Sequence, residues 1–94
     1  SYLSMASLWE MSIKFNLGKL RLDPNYEEFV EKEVITSSIK LLKIELEHLK
    51  LNAALPFHHR DPFDRLIIAQ AVVENLPIMS VDSAFDKYSV NLIS

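Results

Sequence analysis

Three carboxylates in this 94-residue sequence occupy positions from which acidic side chains could act together. Glu10 falls in the predicted first turn of one helix, Asp64 falls in the first turn of another, and Asp82 directly follows a predicted strand. In an open parallel sheet, the carboxyl ends of the strands and the N-termini of the following helices border one crevice. Carboxylate oxygens in such a crevice are the ligands that Mg²⁺ and Mn²⁺ prefer. If two or three of these acids gather there, they would form a divalent-metal site at one edge of the sheet.

Each of these acids also has a simpler structural explanation. Acids in the first turn of a helix are stabilised by the helix macrodipole alone. Ser7 and Glu10 have the spacing of a capping box. Asp64 follows Asp61 at the same spacing, and Asp82 could cap the turn after it. If each carboxylate folds back onto its own helix, the chain is a binding module without catalysis; if the carboxylates converge, the metal site is favoured.

The composition excludes several other kinds of chemistry. The absence of cysteine excludes disulfides, thiolate metal sites and cysteine nucleophiles, and it suits a cytoplasmic location. One glycine, Gly18, is too few for the glycine-rich phosphate loops. The net charge of −3 gives no general attraction to nucleic acid, so a polyanion would need a basic patch or metal ions. No apolar run is long enough to span a membrane, so no membrane association is expected, and no secretory signal is recognised.

The elements that must position the acids alternate between helices and short strands. Helical patterns cover residues 7–17, 24–34, 46–55 and 62–75. Strand-like patterns cover residues 1–3, 39–44, 78–81 and 90–93. This alternation predicts a single α/β domain with a mainly parallel sheet. Within it, we expect Trp9 and Phe63 in the core, and His48 on the solvent-facing flank of its helix.

Three motifs, in this order, resemble a known family. They are SLWEMSIK at residues 7–14, HHRDPFDRLIIAQA at residues 58–71, and SVD followed by AF at residues 80–85. Together they closely resemble the PIN domain in its VapC-type toxin branch, over essentially all 94 residues. The resemblance implies one PIN-like domain over residues 1–94, with a Rossmann-like parallel sheet flanked by helices.

The resemblance also implies an activity, a cofactor and a set of site residues. Family members of this branch are metal-dependent endoribonucleases that hydrolyse RNA as the toxin of a toxin–antitoxin pair, with Mg²⁺ or Mn²⁺ bound by four acids. Glu10, Asp64 and Asp82 match the second, third and fourth of those acids, and would be both catalytic and metal-binding. Four further side chains are expected in the outer coordination shell or against the substrate: Asp61, Ser80, Lys14 and Arg65.

The chain departs from the family pattern at its N-terminus. The family's first acid ends an N-terminal strand that lies in the middle of the sheet. This sequence lacks that strand and opens on Ser1-Tyr2-Leu3, which has the pattern of the last residues of a strand already under way. We therefore expect a domain that lacks the N-terminal central strand and has little activity alone. The strands beside the missing one would face a gap, to be filled by a second copy or another segment.

An antitoxin is the other expected protein partner. The alternative is a non-catalytic PIN-like module that binds an antitoxin or itself.

Overall fold

A computed structural model describes residues 2–56, 61–79 and 91–92 of the chain. Helices and short strands alternate along it, as the sequence predicts. The elements are β1 (Tyr2–Ser4), α1 (Met5–Asn16), β2 (Leu20–Arg21), α2 (Tyr26–Phe29), a π-helical segment (Val30–Ile35), β3 (Lys40–Leu42), α3 (Leu46–Ala54), α4 (Pro62–Glu74), β4 (Ile78–Met79) and β5 (Asn91–Leu92).

The main sheet is parallel and has β1 at its centre, in the order β3-β1-β4. Leu3, which is fully buried, pairs with Leu41 on one side and with Met79 on the other. β2 and β5 form a separate antiparallel pair, in which Leu20 lies opposite Leu92. The α/β architecture predicted from the sequence is confirmed.

The position beside β1 differs from the expectation of an open gap in the sheet. β1 and β4 pair directly, with Tyr2 opposite Ile78 and Leu3 opposite Met79. β1 itself therefore takes the central position, and the backbone groups on both of its sides find partners within the sheet. The expected gap is closed by this direct pairing.

The start of α1 also differs from the prediction. Ser4 has an extended backbone at the end of β1, and its hydroxyl oxygen accepts a hydrogen bond of 2.9 Å from the Ala6 amide. Ser4 is therefore the N-cap. The predicted capping box between Ser7 and Glu10 is wrong, because the helix begins earlier and places Glu10 in its second turn.

The start of α4 is confirmed as predicted. Asp61 Oδ1 accepts hydrogen bonds from the amides of Phe63 at 2.8 Å and Asp64 at 3.2 Å. Pro62 occupies the first helical position, where its missing N–H costs nothing. The helix ends at Asn75, which adopts the left-handed conformation that Asn tolerates better than most residues.

The core has two clusters, and the helices pack around the sheet through them. The larger joins β1, α1, β2 and the π-helical region through eight buried side chains: Leu3, Leu8, Met11, Leu20, Leu22, Phe29, Val34 and Ile39. The smaller joins α1 to α4 through Ala6, Leu66 and Ile67. No helix in the described segments is both long and apolar enough to cross a bilayer.

Two expectations about burial are wrong. Trp9 is 56% exposed. Leu8 and Met11 occupy the buried face of α1, and the helical period places Trp9 on the side away from the core. His48 is fully buried rather than solvent-facing, since both of its ring nitrogens have hydrogen-bond partners inside the domain. A polar ring is retained in an interior when its nitrogens are satisfied in this way.

Candidate catalytic site

Helices α1 and α4 pack against each other in antiparallel directions. At one end of the contact, the Ser4 hydroxyl donates a hydrogen bond to Gln70 Oε1. At the other end, the Trp9 and Phe63 rings meet edge to face, with centroids 4.9 Å apart and planes at 80°. Residue numbers rise along α1 while they fall along α4. The first turn of α4 therefore lies beside the second turn of α1.

Glu10 projects from this second turn into a buried position. Only 6% of the residue is exposed. Its Oε2 forms an ion pair of 3.1 Å with Lys14 Nζ, one turn further along the helix. Its Oε1 is buried and has no hydrogen-bond partner among residues 2–56, 61–79 and 91–92. A buried carboxylate oxygen without a partner costs free energy, which is why such atoms are uncommon in folded proteins.

The electrostatics of Glu10 link it to the first turn of α4. Burial is the main reason that the pKa of Glu10 is raised above its ordinary value of 4.5. The hydrogen bond and charge of Lys14 oppose the rise in the pKa of Glu10. The negative charges of Asp61 and Asp64 add to that rise, so the three acids share one electrostatic environment.

The donor chemistry of this group suits a hard divalent cation, which takes carboxylate oxygens as ligands. The orphaned Oε1 of Glu10 is an oxygen that such an ion could satisfy. The acids of the described segments do not, however, form a closed cage. No three His, Asp or Glu side chains in residues 2–56, 61–79 and 91–92 are grouped closely enough to hold a metal ion.

The structure gives the other sequence-predicted residues different surroundings. Asp61 uses Oδ1 to cap α4, and Asp64 is exposed in the first turn of that helix. Lys14 is paired with Glu10. Ser80 and Asp82 lie outside the described residues.

Arg65 is buried, and its guanidinium holds the end of α3. It donates to the carbonyl oxygens of Asn52 at 2.9 Å, Pro56 at 3.0 Å and Leu55 at 3.4 Å. Carbonyls at the C-terminus of a helix lack intrahelical partners, and a cation satisfies them well. The described contacts of Arg65 therefore fix the connection from α3 to α4.

Gln70 is a residue near the site that sequence reasoning did not single out for a role. It is fully buried, and its Nε2 donates to the Lys43 carbonyl at 3.3 Å and lies 3.4 Å from His48 Nδ1. The sequence does give one indication of its burial, because Gln70 is the polar residue inside the apolar run of residues 66–73. A polar amide inside such a run indicates a buried hydrogen-bond partner.

His48 continues this buried hydrogen-bond chain toward the far end of α4. Its Nδ1 accepts from the Glu45 amide at 2.9 Å, and its Nε2 lies 2.7 Å from Glu74 Oε2. An Nδ1 that accepts from a backbone amide leaves the proton of the neutral ring on Nε2, from which it donates to Glu74. The chain of contacts thus ties α3 to α4.

Comparison with known proteins gives one family. The sequence model of the PIN domain matches residues 1–91. No curated protein and no solved structure matches the chain. PIN domains are generally nucleases, and they usually bind divalent metal ions. Because the match spans nearly the whole sequence, and the parallel sheet flanked by helices agrees with it, the chain belongs to the PIN domain family.

Proposed function

We propose that this PIN domain is a metal-dependent endoribonuclease of the VapC type, which hydrolyses RNA phosphodiester bonds as the toxin of a toxin–antitoxin pair. One observation carries the proposal. Glu10 is a buried acid with a raised pKa, an oxygen that lacks a partner among the described residues, and two further acids whose charges reach it, in a member of a nuclease family. Buried acids with perturbed pKa values are concentrated at functional sites.

Glu10 and Asp64 would hold Mg²⁺ or Mn²⁺, with Asp82 as the third acidic ligand. Such an ion, when bound, makes water a stronger nucleophile and offsets negative charge on the phosphodiester oxygens. Ser80, two residues before Asp82, would belong to the outer shell.

The chain's own residues prepare the site for a cation. Lys14 pairs with Glu10 and so favours its ionised form. Asp61 fixes the first turn of α4, and thereby the backbone that carries Asp64. The mutual repulsion of the acids raises the free energy of the site in the absence of a cation, so that binding one relieves it.

A second candidate function is a non-catalytic module that binds an antitoxin or a second copy. It is favoured by the exposed apolar stripe of α1, which consists of Met5, Trp9 and Ile13 together with the C-cap residue Leu17. Exposed apolar patches of this kind commonly mark protein interfaces. In the toxin proposal, the same stripe would serve association, and the two functions differ in whether the acids bind metal.

Thermal unfolding with and without Mn²⁺ tests the proposed function. Manganese at a hundred times its dissociation constant should stabilise the fold by about 2.7 kcal/mol, because only the folded state gathers the acids. Asp64→Asn should remove this stabilisation. Glu47→Gln, which changes an exposed acid on α3, is the matched control and should keep it. EDTA should abolish any cleavage of RNA.

If millimolar Mn²⁺ leaves the melting temperature unchanged, or stabilises Asp64→Asn as much as the unmodified chain, the metal site is refuted. The non-catalytic function would then be preferred. Cleavage of RNA that persists in EDTA would exclude the metal-dependent mechanism while leaving the nuclease family unaffected.

A further inference from the structure

We propose that Gln70 is a positioning residue for the acidic site. Through its hydrogen bond with Ser4, it fixes the position of α4 relative to α1 along the helix axes. The inference rests on the proposed function, because it concerns the alignment of Glu10 with Asp64. Its physical basis is the buried hydrogen bond from the Ser4 hydroxyl to Gln70 Oε1.

The positions of these residues on the two helices are matched. Ser4 precedes Glu10 by six residues, and Gln70 follows Asp64 by six. Because a helix rises 1.5 Å per residue, both separations correspond to about 9 Å along the helix axes. In an antiparallel pair, a contact between Ser4 and Gln70 therefore brings Glu10 and Asp64 to the same level.

The surrounding apolar contacts do not fix this alignment by themselves. The smaller core cluster between α1 and α4 consists of Ala6, Leu66 and Ile67. Hydrophobic contacts are non-directional, so they tolerate a slip of one helical turn, about 5.4 Å. A hydrogen bond between two fully buried side chains does not, because a slip would leave both groups unsatisfied.

The amide of Gln70 is itself held in place by α3 and by the segment that precedes it. Its Nε2 donates to the Lys43 carbonyl at 3.3 Å and lies 3.4 Å from His48 Nδ1, on a fully buried ring. With both donors directed toward that side, Oε1 is oriented toward Ser4. Ser4 in turn accepts from the Ala6 amide as the N-cap of α1, so the contact acts on the helix that carries Glu10.

The test compares Mn²⁺ affinity with stability in the intact 94-residue chain. Gln70→Leu and the milder Ser4→Ala each break the contact from one side. Electron paramagnetic resonance titration, at a temperature where every variant is folded, gives the Mn²⁺ dissociation constant. We expect each variant to weaken Mn²⁺ binding about tenfold, as is typical when outer partners of metal ligands are removed. The double variant should be no weaker than the weaker single variant, because both remove the same contact.

Val34→Ala is the matched control. Val34 is 1% exposed in the π-helical segment and belongs to the larger core cluster, away from the α1–α4 contact. It should lower the melting temperature while leaving the Mn²⁺ dissociation constant within twofold. A similar loss of Mn²⁺ affinity in Val34→Ala and Gln70→Leu would overturn the proposal, because both would then reflect general destabilisation.

Trp9 supplies a second readout that does not depend on metal. It is the only tryptophan, and its ring contacts Phe63 in the same helix pair. Gln70→Leu and Ser4→Ala should each change its fluorescence emission, as Phe63→Leu should, whereas Val34→Ala should not. If the unmodified chain binds no Mn²⁺, the proposed function fails, and the emission still decides whether Gln70 sets the helix alignment. Unchanged emission in both variants would refute the positioning role, even in a chain that binds metal.

Discussion

Glu10 is held in a position that folding alone does not favour. Its carboxylate is removed from water, one oxygen has no hydrogen-bond partner within the described segments, and two other acids repel it. Lys14 opposes these effects only in part, because the pKa of Glu10 remains raised. Acids retained at such a cost are typical of sites where activity, rather than stability, selects the residue.

Glu10 should make the stability of the fold depend on pH. The folded state binds a proton on Glu10 more tightly than the unfolded state, because the folded pKa lies above 4.5. The free energy of unfolding should therefore fall as the pH rises from 4.5 through the folded pKa. In Glu10→Gln the side chain does not ionise, so the free energy of unfolding should not fall in this way. This variant should be more stable than the unmodified chain at pH 7 without metal, by roughly 1 kcal/mol.

Urea unfolding across a pH series measures this difference. The advantage of Glu10→Gln should disappear below pH 4.5, where the acid is protonated in both states. Glu47→Gln, at an exposed position, should show no such pH-dependent advantage. With saturating Mn²⁺ the order should reverse, since only the unmodified chain keeps all its ligands. If Glu10→Gln is less stable than the unmodified chain at pH 7 without metal, the ionised Glu10 carboxylate does not destabilise the fold, and the prediction is wrong.

At the scale of elements, Asp61 combines two roles that substitution can separate. It caps α4 through Oδ1, and its charge raises the pKa of Glu10. Asp61→Ala should destabilise the fold by about 1 kcal/mol through loss of the cap. Asp61→Asn should keep the cap, because Asn serves at this position as well as Asp does.

Asp61→Ala and Asp61→Asn should have the same effect on the pKa of Glu10 but different effects on the stability of the fold. Both remove a negative charge near Glu10, so both should lower its pKa, which a carbon-13 NMR titration of the carboxyl measures directly. Chemical denaturation gives the stability of each variant. If Asp61→Asn destabilises as much as Asp61→Ala, the charge of Asp61 rather than its hydrogen bonds stabilises α4.

Local signals explain which elements the sequence could predict. Asp61-Pro62 specifies a helix start within a few residues, and α4 begins there. Ser4 and Ser7 are both good N-cap residues, however, and the choice between them depends on where β1 ends. The prediction placed the start at Ser7, and it therefore misplaced Glu10 by one turn.

The contacts that determine burial lie far apart in sequence and were not predictable locally. Ser4 and Gln70 are 66 residues apart, and His48 and Glu74 are 26 apart. His48 was therefore expected on the surface, and Trp9 in the core. For the site, Glu10, Asp64 and Asp82 stay predictions from the sequence, whereas the burial of Glu10 follows from tertiary packing that no local pattern encodes.

At the scale of the whole molecule, the apolar stripe of α1 stays largely exposed in the part of the chain that the structure describes, although the Trp9 ring touches Phe63. Its members recur every four residues, so they follow one side of the helix. Trp9 and Leu17 are 56% and 61% exposed, and Met5 and Ile13 are 37% exposed. Scattered exposed apolar residues are ordinary, but a continuous stripe that includes a tryptophan is typical of an interface.

The last prediction is that the chain associates through this stripe. Multi-angle light scattering over a concentration series should show a mass that rises above that of the 10.8 kDa monomer at micromolar concentrations. Trp9→Lys should shift the transition to at least tenfold higher concentration, because a buried aromatic anchor contributes 2 kcal/mol or more, roughly thirtyfold, at an interface. Val72→Lys is the matched control, since Val72 is similarly exposed, at 62%, but lies on α4. A constant monomer mass over the series, with cooperative melting, would show that the closed sheet suffices for a stable monomer. If Val72→Lys shifts the transition as much as Trp9→Lys does, the interface does not lie on the stripe of α1.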